Sequence, residues 1–163
     1  MKNAERALLF LDFDGVLLPV STDEEITPYQ MTPYVSATHH LERSDWSLVS
    51  ALAATLRPFP EVRIVVSSTW RHLHNLYILR KTLSPLAVVD TTGRAMETRY
   101  EEIAAYMYKR PEPWLALDDD DYGWNPERRW NLVHCDMHVG IADKTRLEEL
   151  SEKLGILRDG RTQ

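Results

Sequence analysis

A single cysteine, Cys135, stands among 163 residues. No intrachain disulfide can form, zinc sites built on several thiolates are excluded, and a reducing, cytoplasmic location is expected. Long apolar runs are missing too. Residues 1–6 are polar and charged, and the run behind them stops after five residues at Asp12, far short of a signal or membrane segment. There is no basic excess: 19 Lys and Arg against 25 Asp and Glu leave a net charge of -6. That balance disfavours the broad cationic surface of a non-specific nucleic-acid binder, while a local basic patch stays open. Internal repeats, low-complexity tracts and linkers are absent, so one domain over residues 1–163 is expected, with its core at about 7–154.

What is present is core material. Hydrophobic residues make up 44% of the chain, including five Trp and seven Tyr, which argues for a folded globular protein. Short apolar runs at 7–11, 62–66, 86–89, 114–117 and 131–134 are too short for buried helices and mostly lack alternation, as buried parallel strands do. Stretches of helical period separate them. Val49, Leu52, Ala53 and Leu56 predict a helix over about 45–57, capped by Ser44 and stopped at Pro58. A second is expected over 69–83, through Leu73, Leu76 and Tyr77 to Ser84-Pro85. Tyr100, Ile103, Ala104 and Met107 mark a third, and Leu147, Leu150 and Leu154 a fourth between a capping Asp143 and a terminating Gly155. The alternation predicts an α/β fold with a mainly parallel five-stranded sheet. Two stretches break the rhythm: the Pro-containing loop 16–43, long enough to be mobile or functional, and the irregular piece 119–129. The polar tail 158–163 is expected to fray.

In such a sheet ligands bind at the carboxyl ends of the strands, so the residues closing each run carry the most weight. The first run closes in Asp12-Phe13-Asp14-Gly15, the second in Ser67-Ser68-Thr69 and the fourth in Asp118-Asp119-Asp120-Asp121. By itself 118–121 reads equally well as a solvated acidic turn. With Asp12 at an equivalent strand end it implies a cation, because carboxylates about 4 Å apart repel by about 4 kcal/mol at an effective dielectric of about 20. Mg²⁺ suits an all-oxygen site that must leave room for a phosphate oxygen, and no twelve-residue loop of alternating ligands suggests calcium. Spacing within Asp12-Phe13-Asp14 lets one acid attack phosphorus while the other, turned back by Gly15, protonates the leaving group. Ser67 offers a hydroxyl and backbone donors for a phosphate oxygen, or simply a helix cap, with Ser68 beside it. Arg99, before the third helix, is placed to neutralise a phosphoryl group, or to be an ordinary surface arginine.

These residues resemble the haloacid dehalogenase-like (HAD) superfamily over about residues 7–154. Leu9-Phe10-Leu11-Asp12-Phe13-Asp14-Gly15-Val16-Leu17 resembles its first motif, Ile64-Val65-Val66-Ser67 its second and Leu115-Ala116-Leu117-Asp118-Asp119 its fourth. The third corresponds to Arg99 in Arg99-Tyr100-Glu101-Glu102-Ile103, with Arg94 as rival. The resemblance implies a Rossmann-like three-layer sandwich and an aspartyl-phosphate mechanism. In it Asp12 is nucleophile and metal ligand, and Asp14 is general acid/base and metal ligand through its carbonyl. Ser67 binds the phosphoryl group, and Asp118 and Asp119 are metal-site acids. The acid at position 14 favours phosphoryl transfer over dehalogenation. Ser67-Ser68-Thr69-Trp70-Arg71 followed by Leu117-Asp118-Asp119-Asp120 is similar, more narrowly, to the HAD domains of Swiss Army Knife RNA repair proteins, which implies RNA or DNA ends as substrate. Neither 16–43 nor 70–94 is long enough for a large cap domain, which leaves an open site suited to large substrates.

The expectation is therefore a Mg²⁺-dependent phosphatase with a phosphorylated substrate and no membrane partner, its oligomeric state left open by the sequence. Two other readings stay open: a catalytically idle phosphate- and metal-binding module, and a phosphotransferase or mutase of the same superfamily. Zinc is not expected from His39, His40, His72, His74, His134 and His138, since the pair 72 and 74 would face different ways on a helix. Trp70 and Arg71 are expected either to grip substrate beyond the phosphate or to pack between helix and loop.

Overall fold

The computed structural model describes residues 6–21 and 41–160. Its middle strand is β1 (Leu8–Leu11), where four consecutive apolar residues are buried because both faces of the strand are covered. Around it stand β2 (Arg63–Val66), β3 (Val88–Thr91), β4 (Trp114–Asp118) and β5 (Leu132–His134), in the order β3-β2-β1-β4-β5. Every pairing is parallel, so the sheet is wholly rather than mainly so.

Alternate residues sort the helices onto two faces. Leu9, Leu11, Ile64, Val66, Leu115 and Leu117 pack with α1 (Leu48–Leu56) through Val49 and Leu52, α2 (Leu76–Thr82) through Leu79, and α4 (Lys144–Arg158) through Leu150 and Leu154. Leu8, Phe10, Val65 and Ala116 point the other way, onto Ile103 of α3 (Arg99–Met107) and Trp124. The result is the three-layer α/β architecture, and 163 residues leave no room for a large cap domain. Each fully buried Leu or Phe contributes about 1.5–3 kcal/mol, so these two clusters drive the fold. Among the described residues no helix is long and apolar enough to cross a membrane.

Several boundaries differ from those expected. Residues 69–83 are not one helix but a 3-10 turn (Thr69–His72) followed by α2. The break is chemical: Asn75 accepts from the Ile78 N–H at 3.0 Å and starts a new helix, leaving Leu73 and Tyr77 exposed. The first helix begins at Leu48, because Asp45 accepts from the Ser47 N–H at 2.9 Å and turns the chain there. Gly155 does not end α4, which continues to Arg158; nothing lies within 4 Å of where its Cβ would be. Strand β3 sits two residues later than expected, and Asn131 belongs to a 3-10 turn (Pro126–Asn131), its amide donating to Trp114 O at 2.7 Å. Of loop 16–43, the start is pinned: Val20 N–H donates to Met137 O at 2.8 Å and Ile141 N–H to Val16 O at 3.0 Å. Residues 22–40, with His39 and His40, and the end of the tail, 161–163, lie outside the described residues.

Candidate active site

Strand register assembles the site. Leu11 is paired with Val66 on one side and Leu117 on the other, so the next residue of each chain segment, Asp12, Ser67 and Asp118, falls in one row at the C-terminal edge. The ladder runs on into that row: Asp12 N–H donates to Leu117 O at 3.1 Å, and Ser67 N–H to Leu11 O at 3.0 Å. All three residues are buried.

Asp119 joins them from the segment after β4, and carboxylate oxygens of Asp12, Asp118 and Asp119 lie within 4.8 Å of one another. Gly15 makes this convergence possible. Its φ of +74° turns the chain back after Asp14, and a Cβ there would overlap the Asp119 carboxylate. Crowding carries an electrostatic cost. Burial first, and then the charge of Asp12, pushes Asp118 well above the usual carboxylate range; the same two causes raise Asp119 to about 6.

The opposing charge is Arg99, the first residue of α3. A capping box between Thr98 and Glu101 fixes that helix start. From there Arg99 donates through Nε to Asp118 Oδ2 at 3.0 Å, through one terminal nitrogen to Ser67 O and to Glu102 Oε2, and sits 3.6 Å from Asp12 Oδ1. Although burial works against its charge, the carboxylates of Asp12, Asp118 and Glu102 hold its proton more tightly than usual. Arg94 is exposed and has no partner among the described residues, so Arg99 is the arginine that faces the acids.

Glu102, given no role by the sequence reading, and Arg71, given two alternatives, complete the network. Glu102, buried in the first turn of α3, takes an ion pair from Arg71 at 2.9 Å on the oxygen that serves Arg99. Arg71 in turn donates to Ser67 O at 2.8 Å, Ser68 O at 2.9 Å and Gly93 O at 3.3 Å, which ties the segments after β2 and β3 together. An Arg three residues before a Glu was visible in the sequence, but the same pair is common on solvated helix faces. Trp70 and Arg71 are both packed inward, as the second of their two expected readings holds.

Ser67 Oγ is buried and finds no hydrogen-bond partner among the described residues, whereas Ser68 spends its hydroxyl on the Trp70 N–H at 3.4 Å. Asp14 is exposed and its carboxylate is not part of the acidic cluster; it accepts from Trp70 Nε1 at 2.9 Å. His134 contacts Asp119 O at 2.9 Å.

Four carboxylates, of Asp12, Asp118, Asp119 and Glu102, thus face two guanidiniums, of Arg71 and Arg99. The two uncompensated negative charges and the all-oxygen donor set fit one hard divalent cation. An orphaned buried hydroxyl on the same row fits an anionic oxygen beside it. A family model, the HAD domain in Swiss Army Knife RNA repair proteins, matches residues 8–145. No curated protein and no solved structure matches the chain.

Proposed function

This chain belongs to the family of HAD domains of Swiss Army Knife RNA repair proteins, and from that premise we propose that it is a Mg²⁺-dependent phosphomonoesterase working through an aspartyl-phosphate on Asp12. The observation that carries this reading is the row of Asp12, Ser67 and Asp118 with Arg99 laid across it.

In this mechanism Asp12, Asp118, Asp119 and the Asp14 carbonyl would hold Mg²⁺, which would supply charge neutralisation for the phosphoryl oxygens. Arg99 and the Ser67 hydroxyl bind the remaining oxygens, so the phosphorus faces Asp12 in line with its leaving group. The Asp12 carboxylate attacks, the ester P–O bond breaks, and Asp14 gives its proton to the departing oxygen. Asp14, now a carboxylate, takes a proton from water as that water attacks the phosphorus and Asp12 leaves as a carboxylate. Arg99, 3.6 Å from Asp12 Oδ1, faces the attacking carboxylate as well as the phosphoryl oxygens.

We assign a large substrate, the phosphorylated end of RNA or DNA. Among the described residues, Leu73, Met96, Tyr122, Met137 and Val139, exposed in segments that follow β2 to β5, and Tyr77 in the first turn of α2 supply apolar and aromatic surface for such a substrate. The Cys135 thiol is buried and raised by desolvation to about 12, which keeps it out of this chemistry near neutral pH.

Phosphate release from end-phosphorylated oligonucleotides and an aryl phosphate, with and without Mg²⁺, tests the reading. Asp12→Asn is expected to fold and to lose turnover entirely. Full activity in that variant, or Mg²⁺-independent hydrolysis by the wild type, would overturn it.

A further inference from the structure

The Trp70 ring is not one of the acidic cluster's ligands, yet it is closely enclosed. Phe13 lies 6.0 Å from it, Trp46 meets it edge-on at 5.4 Å, and His74 stacks on it at 5.6 Å. Its peptide is fixed as well: Trp70 O accepts from Leu73 and His74 N–H, each at 3.0 Å. A large ring so enclosed has one orientation, and in that orientation its N–H donates to Asp14 Oδ2 at 2.9 Å.

A buried indole N–H needs an acceptor, and the one chosen is not a nearby carbonyl but an exposed carboxylate 56 positions away in the chain. The consequence for Asp14 is directional. An exposed aspartate ordinarily samples several rotamers. Here one oxygen is tied to a donor mounted on a rigid aromatic cluster. Indole is a donor only, so Oδ2 must accept in both protonation states of Asp14. In the neutral acid the carbonyl oxygen is the better acceptor, which leaves the proton on Oδ1.

We infer that Trp70 is a positioning residue for the acid/base Asp14: its indole N–H locks the carboxyl rotamer and assigns the transferable proton to Oδ1. The inference rests on the phosphatase reading above. In the first half-reaction the Oδ1–H bond breaks as the departing ester oxygen takes the proton, and Oδ2 keeps its hydrogen bond. In the second, Oδ1 takes the proton of the attacking water.

The test uses leaving groups of different need. An alkoxide departs only with a proton, whereas nitrophenolate departs largely without one, so misplacing the general acid changes the ratio of kcat/KM for an alkyl phosphate to that for nitrophenyl phosphate. In Trp70→Phe, which keeps an aromatic ring and drops the N–H, this ratio is expected to fall about tenfold or more. A general loss of fold would lower both values together. A ratio within about twofold of wild type overturns the assignment. Should Trp70→Phe fail to fold, the Asp14→Ala protein gives an independent reading: of the five Trp indole N–H resonances, one is expected to move upfield and exchange faster. Five unmoved signals overturn it. Wild-type protein that hydrolyses neither ester defeats the phosphatase reading itself, and an active wild type with an unaltered ratio defeats only the role of Trp70.

Discussion

Gly15 shows how narrowly the acidic cluster is built. Its positive φ and the Asp119 carboxylate on its open side are two independent reasons against a side chain. Gly15→Ala is expected to cost at least about 1–2 kcal/mol in urea unfolding from the left-handed backbone alone. It also displaces Asp119, so Mg²⁺ affinity measured by calorimetry is expected to drop together with stability. Unchanged affinity would mean that Asp119 does not need its present position. Glu102 makes the opposite point, since it was invisible in the sequence as anything but a first-turn acid favourable to the helix dipole. Only folding reveals that one of its oxygens serves both Arg71 and Arg99. The same holds for Trp70, whose N–H partner cannot be read from an aromatic in a helical stretch. Residues of the first and fourth motifs were legible because acids that end apolar runs are rare and costly; their supports were not, because the same residue types populate ordinary surfaces.

At the scale of elements, β1, β2 and β4 were visible to within a residue, since strands buried on both faces are written as uninterrupted apolar runs. The segment after β2 was misread as one helix for a definite reason. Leu73, Leu76 and Tyr77 have helical spacing, and the interruption depends on Asn75 and Ser68 side chains bonding to nearby backbone, which spacing cannot express. That break has a geometric effect: it lets the 3-10 turn bring the Trp70 indole N–H to Asp14 before α2 begins. Helix α3 carries a matching dependence, because its first residue is Arg99 and its cap is Thr98. Thr98→Ala is expected to destabilise the protein by about 1 kcal/mol in thermal or urea melts. Fraying of that end loosens the guanidinium, so KM for a phosphate ester is expected to rise by more than kcat falls. A variant with a normal KM would show that Arg99 is held by its ion pairs alone.

For the whole molecule, the acidic cluster links stability to pH and to metal. The folded-state values of Asp118 and Asp119 are raised above those of an unfolded chain, so between about pH 4 and about 6 the native state binds more protons through Asp119. The stability of the metal-free protein contributed by this cluster therefore falls as pH rises through that window. With EDTA present, Asp119→Asn is expected to match wild type in Tm near pH 4 and to exceed it above pH 6. Mg²⁺ is expected to narrow that difference near neutrality: a hundredfold excess over its Kd would stabilise wild type by about 2.7 kcal/mol, and the variant, with one ligand fewer, would gain less. Equal Tm values for the two proteins across the range would deny the repulsion.

Because Asp12, Ser67 and Asp118 owe their alignment to hydrogen-bond register, the spacing of these two carboxylates and the hydroxyl along the strand direction is quantised. A slip of β1 against either neighbour shifts these side chains by a full residue rise, roughly 3.3 Å, and turns the next side chain to the opposite face. No graded change in the sheet can retune this geometry. Adjustment finer than one rung is confined to the parts outside the ladder, namely the glycine bend, the start of α3 and the indole behind Asp14.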